Sequence, residues 1–96
     1  MHYKIVFRQR ARQDLKSTLE FIKKDNPKAA LDWVEYLESS ALSLADNPHR
    51  VALYRNSEKL RQLSLKRGYG VLFWISESNQ TVYISRVFGK GQLRRS

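Results

Sequence analysis

With 96 residues, no cysteine and a formal charge of +9 from 18 Lys and Arg against 9 Asp and Glu, the chain reads as one small basic domain. It can form neither a disulfide framework nor a thiolate metal site. Its 42% hydrophobic and 11% aromatic content suffices for a core and excludes a wholly disordered chain.

No run approaches the roughly 18 apolar residues of a membrane span. The stretch from Met1 to Arg8 lacks the roughly 7–15-residue apolar run of a signal peptide. The expected location is therefore the cytoplasm, with no membrane partner. Tyr3 to Phe7 alternates large apolar residues with others and reads as a strand. From Arg8 to Lys24 the period changes. Ala11, Leu15, Thr18, Leu19 and Ile22 recur at helical spacings, and Phe21 widens the stripe. Asp25-Asn26-Pro27 stops this helix and starts the next, with Asn26 as N-cap and Pro27 at the first helical position. The second helix is expected from Pro27 to about Ala45, burying Ala30, Val34, Leu37, Ala41 and Leu44 with Trp33 and Leu31 beside them, until Asn47-Pro48 ends it. So short a connection predicts an antiparallel helical hairpin.

Beyond a loop from Arg50 to Lys59 the period falls to two. Leu60 to Leu65 reads as a strand with Leu63 and Leu65 toward the core, followed by a turn at Lys66-Arg67-Gly68. Tyr69 to Ser76, nearly continuous in apolar residues, reads as a central strand, and Glu77 to Gln80 as a hairpin loop. Thr81 to Phe88 alternates Val82, Ile84, Arg86 and Phe88 with Tyr83, Ser85 and Val87. The order β-α-α-β-β-β makes one α+β domain over residues 1–96, the helical hairpin packed on a small antiparallel sheet. Residues 91–96 read as a flexible basic tail.

The charge is unevenly placed. Seven of the nine acids fall in the first half, whereas Arg50 to Arg67 holds six bases against Glu58 alone. From Arg86 onward come Arg86, Lys90, Arg94 and Arg95 with no acid. Such a field attracts nucleic acid, acidic protein surfaces or anionic lipid. Conventional catalytic constellations are missing. His2 and His49 have no nucleophile or second ligand at a motif spacing, the carboxylates form no pair, and Gly68-Tyr69-Gly70 and Gly89-Lys90-Gly91 are too short for a phosphate loop. No metal or cofactor is expected. Trp33, Phe73, Trp74 and Tyr69 read as core by spacing, with a stacking platform for bases as the alternative. Arg86 is expected to be structural, its guanidinium paired with Asp14 or Glu20, unless it marks a functional face.

Several segments carry a family resemblance: Ala11-Arg12-Gln13-Asp14-Leu15 with Phe21-Ile22; Asn26-Pro27 and Ala29-Ala30; Leu42, Leu44 and Asn47-Pro48; Leu60-Arg61-Gln62-Leu63; Gly68-Tyr69; Leu72-Phe73-Trp74; and Val82 to Gly89. In this order and spacing the chain resembles the ParE branch of the RelE/ParE toxins, the toxin halves of bacterial toxin–antitoxin pairs. The resemblance implies a toxin that inhibits DNA gyrase by binding and stabilises DNA breaks. It also implies a ParD-like antitoxin that wraps the toxin in a hetero-oligomer. On that reading Lys59, Arg61, Lys66 and Arg67, with Lys90, Arg94 and Arg95 of the tail, contact gyrase or its DNA. Leu19, Phe21, Leu31 and Tyr36 receive the antitoxin.

The sister RelE-like branch cleaves messenger RNA on the ribosome with basic side chains and a C-terminal tyrosine. Its arginine after the strand-opening tyrosine is here Gly70, after Tyr69. Its second base after the Gly-Lys pair is here Gly91, and no tyrosine follows Tyr83. The family often shows a histidine where Phe88 stands. A RelE-like ribonuclease and a non-toxic basic nucleic-acid-binding module are the alternative readings.

Overall fold

The computed structural model of the chain describes residues 2–89. Its elements are β1 (Lys4–Phe7), α1 (Gln9–Asp25), α2 (Pro27–Leu42), β2 (Arg61–Ser64), β3 (Gly70–Ser76) and β4 (Thr81–Phe88), in the expected order. Single 3-10 turns occupy Ser43–Ala45, where the α-helix was expected to continue, and Pro48–Arg50 and Lys66–Gly68. No helix among the described residues is long and apolar enough to cross a membrane.

A single residue joins the helices. The Asn26 side chain accepts from the backbone N–H groups of Lys28 (3.1 Å) and Ala29 (3.2 Å), while its own N–H closes α1 on the Ile22 carbonyl (2.9 Å). Two of the orphan donors that begin α2 are thereby satisfied, and Pro27 brings no donor. Ala30, Trp33, Leu37 and Ala41 then form the buried stripe of α2. Leu31, expected beside that stripe, is instead exposed.

The sheet runs β1-β4-β3-β2. β2, β3 and β4 form the expected antiparallel meander, but β1 lies parallel to β4, pairing Lys4 with Thr81 and Phe7 with Ile84. The sheet is thus mixed rather than purely antiparallel. A meander leaves the outer edge of its last strand open, and β1 is joined to β4 through the helices and two other strands. No hairpin turn therefore fixes its direction.

β4 carries a bulge. Phe73 lies opposite Ile84 but Leu72 lies opposite Arg86, so Ser85 is the extra residue. Opposed residues in an antiparallel pair share a face. Val71, Phe73, Val82, Ile84 and Val87 therefore look toward the helices and join Trp33, Leu37, Leu44 and Leu65 in the core. Leu72, Trp74, Tyr83, Arg86 and Phe88 share the far face. Strict alternation would put Arg86 and Phe88 in one row with Val82 and Ile84. The bulge reverses the phase and moves both.

β1 ends opposite Ile84, so among the described residues β4 continues past it without a strand on that edge. Asp14 of α1 fills the gap. Its carboxylate accepts from the Val87 backbone N–H (3.0 Å), Arg86 Nε (2.7 Å) and Arg86 Nη2 (3.3 Å). Of the two acids expected near Arg86, Asp14 holds it.

Candidate functional site

On the far side of the sheet a cleft of about 640 Å³ opens between the start of α1 and the strands, lined by Arg8, Gln9, Arg10, Gln13, Lys59, Trp74 and Ser85. Local structure explains each position. Arg8 is the extended joint between β1 and α1, and its N–H donates to the Ile84 carbonyl (2.9 Å). Arg8, Gln9 and Arg10 therefore leave the sheet beside the bulge. The first turn of α1 holds no acid and its N-cap makes no side-chain hydrogen bond, so the positive end of the helix dipole faces bases rather than the usual acids. In the loop before β2, Ser57 Oγ accepts from the N–H groups of Lys59 (3.1 Å) and Leu60 (2.8 Å).

That anchored loop places Lys59 Nζ 3.9 Å above the Trp74 ring. Trp74 stacks on Tyr83 with ring centroids 4.5 Å apart and planes 26° from parallel. Arg8 Cζ stands 5.7 Å from the Tyr83 ring centroid. Lys59, Trp74, Tyr83 and Arg8 thus form a cation–ring–ring–cation row across the sheet. Such groups suit phosphates, carboxylates and the faces of bases. Among the described residues the lining contains no histidine or carboxylate; Lys59 and Tyr83 are the members of this row of a type that can carry general acid–base catalysis.

Farther along the same face a ring closes the surface. Gly70 lies opposite Phe88. A Cβ at Gly70 would stand 2.4 Å from Phe88 Cζ, 2.9 Å from Cε2 and 3.0 Å from the Leu63 carbonyl oxygen. The Phe88 ring fills the volume that any side chain at position 70 would need, and both residues are buried.

The basic residues expected to share one patch are divided. Lys59 lines the cleft. Arg61 donates from Nη1 to the carbonyls of Val51 (2.5 Å) and His49 (3.3 Å), tying the loop to β2. Lys66 and Arg67 lie at the β2–β3 turn beside the helical hairpin, where Lys66 Nζ sits 4.3 Å over the Tyr36 ring. Lys90, Arg94 and Arg95 lie outside the described residues. Of the apolar set, Phe21 (70%) and Leu31 (66%) are exposed, Leu19 is half-buried, and half-buried Tyr36 accepts the Lys66 backbone N–H at 3.0 Å. Leu42 and Leu53 are also exposed. Trp33 and Phe73 are core, and Trp74 alone of the expected aromatics lines the cleft.

Arg8, Gln9, Arg10, Gln13, Tyr83 and Ser85 were not singled out by sequence. The available signal was Arg8-Gln9-Arg10 at a strand-to-helix junction, where first-turn acids would be usual.

In sequence, no curated protein matches the chain. Among solved structures it is similar to a chain of a chromosomal ParDE toxin–antitoxin system from P. aeruginosa, with TM-score 0.78 and 17% identity over 93% of this chain and 97% of that one. It is also similar to a chain of a RelBE toxin–antitoxin complex from Mycobacterium tuberculosis, with TM-score 0.64 and 25% identity over 96% and 95%. A third similar structure is the free E. coli toxin RelE carrying two arginine-to-alanine substitutions, with TM-score 0.67 and 17% identity over 99% and 90%. The family described as ParE toxin of type II toxin-antitoxin system, parDE, matches residues 5–94. The chain therefore belongs to the ParE toxin family of type II toxin–antitoxin systems.

Proposed function

We propose that this ParE-family toxin acts by binding, without side-chain catalysis, that DNA gyrase is its target, and that a cognate acidic ParD-like antitoxin silences it. The observation that carries the non-catalytic reading is the Gly70–Phe88 pair. The ribonuclease branch needs a cation at the position of Gly70 to neutralise a scissile phosphate. Here an arginine at that position would collide with a buried ring. On this reading the missing cation follows from the packing of two strands, and a change at position 70 alone would not restore it.

The cleft supplies the binding surface in this reading. Arg8, Arg10 and Lys59 offer anion contacts, and the Trp74–Tyr83 stack offers a rigid aromatic platform. Contacts of this kind hold a target in register without acting on it. A protein–DNA complex such as gyrase on its DNA would present phosphates to such a cleft. The net charge of +9 favours encounter with that target and with an acidic antitoxin alike.

A paired titration tests the proposal: supercoiling by purified gyrase, and cleavage of messenger RNA on programmed ribosomes, each against the same protein stock. Inhibited supercoiling with intact messenger RNA is expected. Cleaved messenger RNA with unaffected supercoiling would transfer the chain to the ribonuclease reading.

A further inference from the structure

The geometry of the rings in the cleft restricts what the cleft can hold. We propose that it takes a nucleic-acid strand by the phosphates of its backbone, with no base stacked on Trp74. This rests on the binding reading above and names the chemistry of the ligand.

A base uses an aromatic platform by laying its face on an open ring face. Trp74 is the one aromatic ring among the lining residues. Tyr83 is stacked on it with ring centroids 4.5 Å apart, and Lys59 Nζ sits 3.9 Å over its centroid. A cation has no room between two rings so close, so Lys59 and Tyr83 take opposite faces of the indole. Neither face is then open to a base. The stack serves instead as a mount for cations, with Lys59 over Trp74 and Arg8 over Tyr83.

Those cations are not neutralised from within. Arg8 and Arg10 on the α1 side and Lys59 on the loop before β2 all line the cleft, and all three are exposed. Among the described residues none of them is paired with a carboxylate. Asp14, the first acid of α1, is already bound to Arg86 and to the Val87 N–H. Glu58 precedes Lys59 in the chain but does not line the cleft.

Three free cations spread across one cleft suit a repeating anion better than a single carboxylate. Each backbone phosphate they neutralise releases counterions, which favours binding. Gln9 and Gln13 stand in the same lining, and amide side chains of this kind hydrogen-bond phosphate and sugar oxygens. Contacts to the backbone carry no base information, so the site is indifferent to sequence.

The test uses the full-length chain and fluorescence anisotropy with three labelled probes: a thymine single strand, a strand of abasic sugar–phosphate units of the same length, and a duplex. Binding of the strands or of the duplex supports the site, and their ratio tells a free strand from a paired one. The abasic strand is expected to bind within about threefold of the thymine strand, because it keeps every phosphate. Arg8→Gln/Arg10→Gln/Lys59→Gln is expected to bind at least about tenfold more weakly. Its log K against log salt should be shallower by about two, at roughly 0.7 per single-strand phosphate. Lys16→Gln/Lys23→Gln/Lys24→Gln removes the same charge from exposed positions of α1 outside the cleft and is expected to bind nearly as wild type.

An equal loss in both triple variants would overturn the proposal, since net charge alone would then explain the binding. An abasic strand bound at least about tenfold more weakly than thymine would overturn it in favour of base stacking. Inhibited supercoiling by a protein that binds none of the three probes would overturn the phosphate site and leave the gyrase reading standing. Strand binding through the cleft with unaffected supercoiling would sustain the site and remove gyrase as the target.

Discussion

Replacing Gly70 by alanine tests the packing behind the non-catalytic reading. The new methyl would sit 2.4 Å from Phe88 Cζ, against the roughly 3.5–4.0 Å of a comfortable carbon contact. The ring must retreat by more than about 1 Å. It is buried, and the Leu63 carbonyl at 3.0 Å limits escape by the methyl itself. Overpacking of this kind costs about 1–3 kcal/mol. Gly70 has no positive φ, so alanine recovers about 0.5–1 kcal/mol of the entropic penalty of a strand glycine. The net loss is about 1–2 kcal/mol, which for a domain near 100 residues lowers the melting temperature by roughly 5–15 °C. Thermal and urea melts followed by circular dichroism provide the measurement. In a Phe88→Leu background, where the ring is gone, the Gly70→Ala penalty should nearly vanish, giving a coupling of about 1–2 kcal/mol in the double-mutant cycle. A Gly70→Ala protein that melts with wild type, or an equal penalty in both backgrounds, would refute the argument.

Other perturbations have defined outcomes. Asp14→Ala removes three hydrogen-bond acceptor contacts from β4 at a site where the Asp14 side chain is 15% and that of Arg86 38% exposed; discounted for Arg86 exposure, the loss is about 2 kcal/mol in urea unfolding. Asn26→Ala strips the cap of α2 and should cost about 1 kcal/mol by the same measurement. Tyr3 has its pKa raised above the ordinary tyrosine value, first by desolvation and then by its hydrogen bond and charge repulsion with Glu77. Folding thus favours the neutral phenol: this contribution is intact below about pH 10 and is lost as pH rises through the raised folded-state value. A Tyr3→Phe protein should show a flatter decline of stability above about pH 10 than wild type, read by urea midpoints across that range.

The sequence patterns that resolved well were local. Period 3.6 in α1 and α2, the Asn26-Pro27 junction and the apolar run of β3 are set by neighbours a few residues away; α1 and β3 lie where those patterns put them, and α2 starts as expected but gives way to a 3-10 turn at Ser43, before the expected end near Ala45. Non-local pairing was not readable. The parallel placement of β1 depends on which sheet edge remains open, and the bulge at Ser85 depends on the register of β3 against β4. That one inserted residue moved Arg86 and Phe88 across the sheet, and with Phe88 came the ring over Gly70.

The candidate site was legible where charge density was high, as at Lys59. Charge counting cannot show that the guanidinium of Arg61 is held by main-chain carbonyls. Nor can it show that Arg8 and Arg10, in the charge-balanced half of the chain, emerge beside Trp74. Their balancing acids are elsewhere, and Asp14 is already bound to Arg86 and Val87. Tyr36 illustrates the same limit, since its environment is completed by the β2–β3 turn, 30 residues away at Lys66.

In the function proposed above, the molecule inhibits by occupying its target through the cleft. The direct measurement is gyrase supercoiling titrated with wild-type protein and with the Arg8→Gln/Arg10→Gln/Lys59→Gln triple variant. Wild type should abolish supercoiling at near-stoichiometric ratios, with the variant requiring at least tenfold more protein. Supercoiling that persists at large excess of wild-type protein would rule out gyrase as the target, and a triple variant as potent as wild type would rule out the cleft.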